Sequence, residues 1–155
     1  MVTRYATVWE CVHGGWYQLS HSYLGQSVSE RQRIVNEIYS LISRRTDYVC
    51  NFLESSGTSL EKDTKVVYRH YATLYFIFWV DGSESELGIL DLIQVLVETL
   101  DRSFENVCEL DLIFNSDKVH YIIDEMVMGG MVLETSMSEI CRTVGEMNKL
   151  EQAKK

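Results

Sequence analysis

The stretch YRHYATLYFIFWV, from Tyr68 to Val80, decides the fold. After Thr73 every residue of this stretch is apolar or aromatic, which is typical of a strand in the middle of a sheet with both faces covered. The segment just before it, KVVYRHY from Lys65 to Tyr71, has the β-branched and aromatic residues of a neighbouring strand. We therefore predict two consecutive strands in a sheet that helices cover on both sides.

Three further strands are predicted towards the N-terminus. Residues 5–12 and 16–23 flank Gly14 and Gly15, which tolerate the positive φ of a tight hairpin turn. The third strand is YVCNFLE, residues 48–54. The two strands of the hairpin and the three later strands together favour an antiparallel sheet.

Helices are predicted between and after these strands. Three apolar segments with helical periodicity follow a Ser-x-x-Glu capping box, which satisfies free amide groups at a helix start. The boxes begin at Ser27, Ser83 and Ser136. Shorter helices are predicted over 107–114 and 117–128, the second ending at Gly129-Gly130, because glycine is favoured after a helix C-terminus. The predicted order is ββαβββ followed by C-terminal helices, an α+β fold with five antiparallel strands flanked by helices.

Composition indicates one globular domain. At 155 residues, with 46% hydrophobic and 24% charged residues and no proline, the chain is predicted to form a single domain over 1–155, with a short polar C-terminal tail from about 149. The net charge of −9 argues against a nucleic-acid partner, which would require a basic surface. The four cysteines are far apart in sequence, and neither a signal peptide nor a bilayer-spanning run is found. We expect a cytoplasmic protein whose thiols are reduced and lie in the core.

Residues suited to catalysis are few. The four histidines show no metal-binding spacing, and the MGGM sequence lacks the Gly-Lys-Ser/Thr of a phosphate loop. We therefore predict no enzyme activity, no metal and no cofactor. An apolar groove between the strand edge at Ala72 and Leu74 and the helix at Val107 and Leu112 would accept an extended peptide. The same residues also fit an ordinary hydrophobic core, and both interpretations stand at this point.

Long stretches of the chain resemble one protein family. YRHYATLYFIFWVDGSESELGILDLIQVLVETLD and FENVCELDLIFNSDKVHYIIDEMVMGGMVLETS are similar to the small, or sigma, subunits of the adaptor-protein complexes of coated-vesicle transport, most of all the sigma subunit of the third complex. The resemblance is strong over 48–146 and weak before Ser27, so an alternative or wrongly assigned first exon for residues 1–26 is a competing hypothesis.

The resemblance implies an architecture and a task. The sheet is expected to be longin-like and five-stranded, and the chain to join two large subunits and one medium subunit in a heterotetramer. That complex is expected to lie peripherally on Golgi and endosomal membranes. This chain itself is expected to contact the membrane only indirectly. Its expected task is to sort membrane cargo toward the lysosome or vacuole. A small subunit that only stabilises the complex is the first alternative, and a free-standing longin-type module that engages a small GTPase is the second.

The resemblance also implies a site for acidic dileucine signals in the cytosolic tails of cargo. Such a signal has an acidic residue, three arbitrary positions and two leucine-like residues. The residues that match the family's leucine pockets are Tyr71, Ala72, Leu74, Val97, Asn106, Val107 and Leu112. At the rim, the family's arginine aligns with Gln18 in this chain. Arg69 or His70 would have to supply the cation instead, if their side chains face the groove.

Overall fold

The computed structural model describes residues 3–12, 15–22, 28–45, 51–54, 63–71 and 74–153. The described strands are β1 (Thr3–Val12), β2 (Gly15–Ser22), β3 (Phe52–Glu54), β4 (Thr64–Tyr71), β5 (Leu74–Asp81), β6 (Val127–Met128) and β7 (Met131–Val132). The described helices are α1 (Val28–Ile42), α2 (Glu86–Phe104), α3 (Glu109–Phe114), α4 (Ser116–Met126) and α5 (Met137–Ala153).

The main sheet is antiparallel and its strands lie in the order β2-β1-β5-β4-β3. β1 pairs with β2 on one side and with β5 on the other, and β4 pairs with both β5 and β3. The N-terminal hairpin is therefore joined to the later strands through β1. The predicted α+β class, with antiparallel strands and flanking helices, is confirmed.

β5 is covered on both faces, as its continuous apolar sequence predicted. On one face Phe76 and Phe78, each 1% exposed, belong to a core cluster with residues of α2, α4 and α5. On the other face Ile77 and Trp79 pack with residues of α1. Successive side chains of a strand point to opposite faces, so only an unbroken apolar strand can serve both helical layers. The candidate site lies at the edge of the α2 layer.

The N-terminus of α2 differs from the prediction. Its cap is Ser85, whose hydroxyl accepts a hydrogen bond from the Gly88 amide at 3.3 Å. The predicted start at Ser83 is wrong, because Gly82 and Ser83 form a turn before the helix. The Gly82 amide donates to the Asp63 carbonyl in this turn, which ties the end of β5 to the start of β4. The helix thus begins two residues later than its sequence suggested.

The segment after α4 also corrects the prediction. α4 ends at Met126, and β6 and β7 form an antiparallel ribbon that turns at Gly129 and Gly130, with φ of 58° and 84°. Positive φ at both central residues is what a two-residue hairpin turn requires, so the glycine pair makes a hairpin and not a helix terminus. α5 continues to Ala153, so residues 149–153, expected in the polar tail, are helical.

Candidate functional site

Successive side chains of β4 point to opposite faces of the sheet, so Arg69 and His70, the two cations considered for the rim, lie on different faces. On the α2 side, Tyr71 packs against the larger core cluster and meets Phe76 edge-on, with ring centroids 5.8 Å apart. His70 lies on the other face, where its ring stacks on Tyr75 at 4.1 Å, and Tyr75 packs against the α1 cluster. Arg69, two residues before Tyr71, shares the face of Tyr71. His70 therefore does not belong to a rim on the α2 side.

A chain of hydrogen bonds ties Arg69 to α2. Arg69 Nη1 donates to Tyr71 Oη at 2.9 Å and to Gln94 Oε1 at 2.7 Å. Tyr71 Oη donates to the same Gln94 oxygen, and Gln94 Nε2 donates to Glu98 Oε1 at 2.7 Å. Because the carboxylate of Glu98 accepts from the amide nitrogen, the amide oxygen is turned toward Arg69 and Tyr71.

Gln94 and Glu98 are the site residues that the sequence analysis missed. They are four residues apart on α2, so they lie on one side of the helix and can support each other. That spacing was the available signal, but nothing in the sequence placed this side of α2 against the end of β4. The two residues fix where the positive charge of Arg69 is held.

The apolar residues of the predicted pocket belong to one cluster but differ in exposure. Leu74 and Leu112 are only 7% and 1% exposed, so they are core residues. Tyr71, Val97 and Val107 are half-buried and pack against the same cluster. These three are therefore the apolar side chains of the set that remain accessible. Leu74 and Leu112 support them from below.

The loop after α2 determines where Val107 lies. Glu105 and Asn106 have φ of 54° and 76°, so the chain reverses through two left-handed residues. The Val107 amide then donates to Asp101 Oδ1 at 3.2 Å, which holds the loop against the last turns of α2. Asn106 is exposed beside Val107. Ala72, the remaining predicted pocket residue, lies outside the described residues.

A fixed carboxylate begins α3. Asp111 Oδ2 accepts a hydrogen bond from the Cys108 amide at 2.9 Å. That backbone bond, and secondly a bond to the Cys108 side chain, lowers the pKa of Asp111 below its ordinary value of 3.8. Cys108 itself is exposed, so the predicted core position is wrong for this thiol. An ionised carboxylate at a helix N-terminus satisfies a free amide and favours the helix dipole. Asp111 thereby orients the helix that carries Leu112.

Gln18, the residue aligned with the family's rim arginine, is described only by its backbone position. Gln18 pairs with Trp9, Trp9 pairs with Tyr75, and Tyr75 pairs with His70. Three strand spacings therefore separate Gln18 from β4, a distance of about 14 Å. The structure does not bring Gln18 together with Arg69.

Half-buried apolar side chains of this cluster and the guanidinium of Arg69 thus lie together on the α2 side of the sheet. Within the described part of the chain, no cluster of three or more histidine, cysteine, aspartate or glutamate side chains is arranged to hold a metal ion. None of the helices in this described part is both long enough and apolar enough to span a membrane.

Residues 11–151 match the family described as the clathrin adaptor complex small chain. The chain belongs to this family. Human AP-3 complex subunit sigma-2 is 63% identical over 123 residues, which make up 79% of this chain and 64% of that relative. The AP-3 complex subunit sigma of Dictyostelium discoideum is 60% identical over 129 residues, or 82% of this chain and 75% of the relative. This adaptor small chain thus spans about 64% of the length of the human protein.

The adaptor small chain also resembles a subunit of a larger assembly. A chain in a homology model of the full-length AP-3 complex in a stretched open conformation superposes with a TM-score of 0.73 and is 36% identical. The match covers 99% of this chain and 97% of that one. The predicted relationship to adaptor sigma subunits is confirmed. The family match begins at residue 11, so it includes β2 and Gln18, where the sequence resemblance alone was weak.

Proposed function

We propose that this chain is the sigma subunit of an AP-3-type adaptor complex, assembled with two large subunits and one medium subunit. In this proposal the complex lies peripherally on Golgi and endosomal membranes and sorts cargo toward the lysosome or vacuole. The family match and the identity to AP-3 sigma subunits support it. The strand order β2-β1-β5-β4-β3 supports the longin-like assignment, which is part of the same proposal.

Within that complex, we propose that the groove between β4 and α2 helps to bind acidic dileucine signals. The observation that carries this proposal is the placement of Arg69 beside half-buried Tyr71 in the cluster that includes Val97 and Val107. Burial of two leucine side chains contributes about 3–6 kcal/mol. A hydrogen bond to a charged group adds about 1.5–3 kcal/mol, and less where it is exposed. The leucines would therefore supply most of the affinity, and the cation would add selectivity.

The acidic residue of the signal has two possible positions. Three residues separate it from the first leucine, so the two positions are four extended steps, or about 13 Å, apart, which is close to the three strand spacings between β4 and Gln18. Gln18 shares the cross-strand register of His70, so a signal that reaches it leaves the α2 side of the sheet, whereas one that stays on the α2 side would reach Arg69. Gln18→Arg should tighten binding of an acidic dileucine peptide in the first case and leave it unchanged in the second.

Val97 provides the test of the leucine pocket. Val97→Ser should weaken binding of a dileucine tail peptide to the assembled complex about tenfold, because part of one apolar contact is lost. Val95→Ser is the matched control, since both valines are half-buried on α2 but lie about 200° apart around the helix. Isothermal titration on the purified complex measures both affinities. Equal affinities for the Val97 and Val95 variants would refute the proposed pocket.

The burial of Leu74 and Leu112 favours the main alternative, a small subunit that stabilises the complex without contacting cargo. In that case Val97→Ser leaves cargo sorting normal, and loss of the whole chain dissolves the complex. Co-purification distinguishes these two kinds of sigma subunit, cargo-binding and purely stabilising, from a free-standing module that engages a small GTPase. A sigma subunit should bring down two large chains and one medium chain, and the module should bring down none of them.

A further inference from the structure

A second concave site lies away from the groove, where three helices meet. Its volume is about 480 Å³, within the range of small-molecule sites. Three cationic side chains line it, each from a different helix: Arg102 near the end of α2, Lys118 on α4 and Arg142 on α5. None of the nine residues that line the cavity is acidic, although the chain as a whole has 23 acidic and 14 basic residues. The lining therefore reverses the charge balance of the protein.

The three cations are held in different ways. Lys118 Nζ donates to the Ser103 carbonyl at 2.8 Å and lies 4.4 Å from the centre of the Phe104 ring. These contacts join α4 to the end of α2 and fix the ammonium group at the cavity wall, with donors left over for a ligand. Arg102 is exposed, and no polar contact of its side chain is found among the described residues. Two cations are thus available to an anion without the loss of an ion pair.

Arg142 is the third cation and is already neutralised. Its guanidinium contacts Glu139 at 3.0 Å and Glu146 at 2.8 Å, one turn to either side on α5. Hydrogen bonds to these two carboxylates, Glu139 first, raise the pKa of Arg142. The planar group keeps five donors, so it can bond an anion while it retains one carboxylate. Glu139 and Glu146 therefore compete with any anion for Arg142.

The remaining lining adds neutral hydrogen-bonding groups. Ser103, Ser138 and Asn148 contribute hydroxyl and amide groups, and Gly145 leaves the α5 wall open, with no neighbouring atom within 4 Å of the position that a β-carbon would take. Several cations from separate helices, with hydroxyl and amide donors between them, suit an anion that has charge at more than one point. A single carboxylate would engage only part of this set.

We propose that the cavity between α2, α4 and α5 binds a small anion with two or more phosphate groups, the class that includes inositol phosphates. Arg102 and Lys118 bind the phosphates directly, and Arg142 joins them by exchanging one of its carboxylate partners. The site is independent of the leucine groove, because none of its nine lining residues belongs to that groove. The source of the phosphates is either a soluble molecule or a lipid headgroup, and the choice of anion in the binding experiment distinguishes the two.

Cys141 lines the cavity and supplies the readout. The full chain is alkylated with N-ethylmaleimide, and the rate at each cysteine is followed by peptide mass spectrometry, with and without inositol hexakisphosphate. At ten times the dissociation constant the site is about 90% occupied, so alkylation of Cys141 should slow about tenfold. Cys108 is exposed and lies outside the cavity, so its rate should stay unchanged.

Substitutions locate the site. Arg102→Gln should weaken the protection of Cys141 about three- to tenfold, the effect of one partly exposed charge-assisted hydrogen bond. Lys149→Gln is the matched control, because Lys149 is exposed on α5 outside the cavity and should leave protection unchanged. Glu139→Gln should strengthen protection, since it releases Arg142 from one competitor. A gain on this substitution is not expected from damage to the fold.

The choice of anion distinguishes the sources. Protection by inositol hexakisphosphate but not by inorganic phosphate at equal concentration supports a site for several phosphates. Protection by phosphatidylcholine vesicles that contain a phosphorylated phosphatidylinositol, and not by phosphatidylcholine alone, identifies the lipid headgroup as a source. The proposal is overturned if inositol hexakisphosphate leaves the alkylation rate of Cys141 unchanged, if inorganic phosphate protects equally well, or if Cys108 slows in parallel. Loss of binding to a dileucine peptide has no bearing on these results.

Discussion

Replacing Arg69 by methionine tests whether its charge is used for recognition or only for structure. The methionine keeps most of the apolar stem and removes the two hydrogen bonds to Tyr71 Oη and Gln94 Oε1. A hydrogen bond to a charged group is worth about 1.5–3 kcal/mol, and less where it is exposed. Arg69 is only half-buried and Tyr71 and Gln94 still bond each other, so the loss of stability should be about 1–2 kcal/mol, or about 2–8 °C in melting temperature for a chain of this size.

The effect on recognition is measured with two peptides. One carries the acidic residue four positions before the leucines, and the other has glutamine in its place. A partly exposed ion pair contributes about 1 kcal/mol, so Arg69→Met should weaken the acidic peptide about fivefold and leave the glutamine peptide unchanged. Titration calorimetry on the assembled complex gives all four affinities of this double-mutant cycle.

The control and the refuting result are equally specific. Arg33→Met removes an exposed arginine from α1, on the opposite side of the sheet, and should change neither affinity. If Arg69→Met weakens both peptides equally, Arg69 acts only by positioning Tyr71. If it weakens neither, the groove has no cation-dependent selectivity, and the reasoning from the hydrogen-bond chain fails.

Three further predictions concern the fold. Ser85→Ala should lower the unfolding free energy by about 1 kcal/mol through loss of the α2 cap, and Ser83→Ala by less than about 0.5 kcal/mol, as measured by urea denaturation. Phe78→Ala should cost about 3–5 kcal/mol in the same assay, whereas Leu87→Ala, at a side chain 74% exposed, should cost little. The pKa of Asp111 is lowered from 3.8, so its stabilisation is complete above that pH and is lost as the pH falls through the lowered pKa. Asp111→Asn should therefore melt at a lower temperature than the parent at neutral pH, and the two curves should converge in strong acid.

Much of the fold was predictable because β5 has an unbroken apolar sequence. Its run of large residues fixed a central strand, and the sandwich of helices followed from the need to cover both faces. The glycine pair at 129 and 130 was misjudged because glycine serves equally well after a helix and in a hairpin turn. The local sequence does not distinguish these two uses of positive φ. Backbone hydrogen bonds decide between them, because the Leu133 and Glu134 amides that follow the ribbon donate to the Met126 carbonyl at the end of α4.

The candidate site was predictable in its residues more than in its geometry. The resemblance identified Tyr71, Val97 and Val107, which the structure places in one cluster. It could not show that Arg69 and not His70 faces α2, since that depends on the register of β4 against β5. Gln94 was missed because its role depends on a hydrogen bond with Tyr71, which lies on β4 and is 23 residues away in sequence.

The position of β1 between β2 and β5 has a consequence for synthesis of the chain. The hairpin is complete by Ser22, but the strand that pairs with the other side of β1 ends only at Asp81. At about 5–20 residues per second, the ribosome takes roughly 3–12 s to make those intervening residues. During that interval the backbone groups along one side of β1 have no native partner, and an exposed strand edge of this kind pairs readily with other chains. Strand order thus sets a time window in which the nascent polypeptide exposes an unpaired strand edge to other chains.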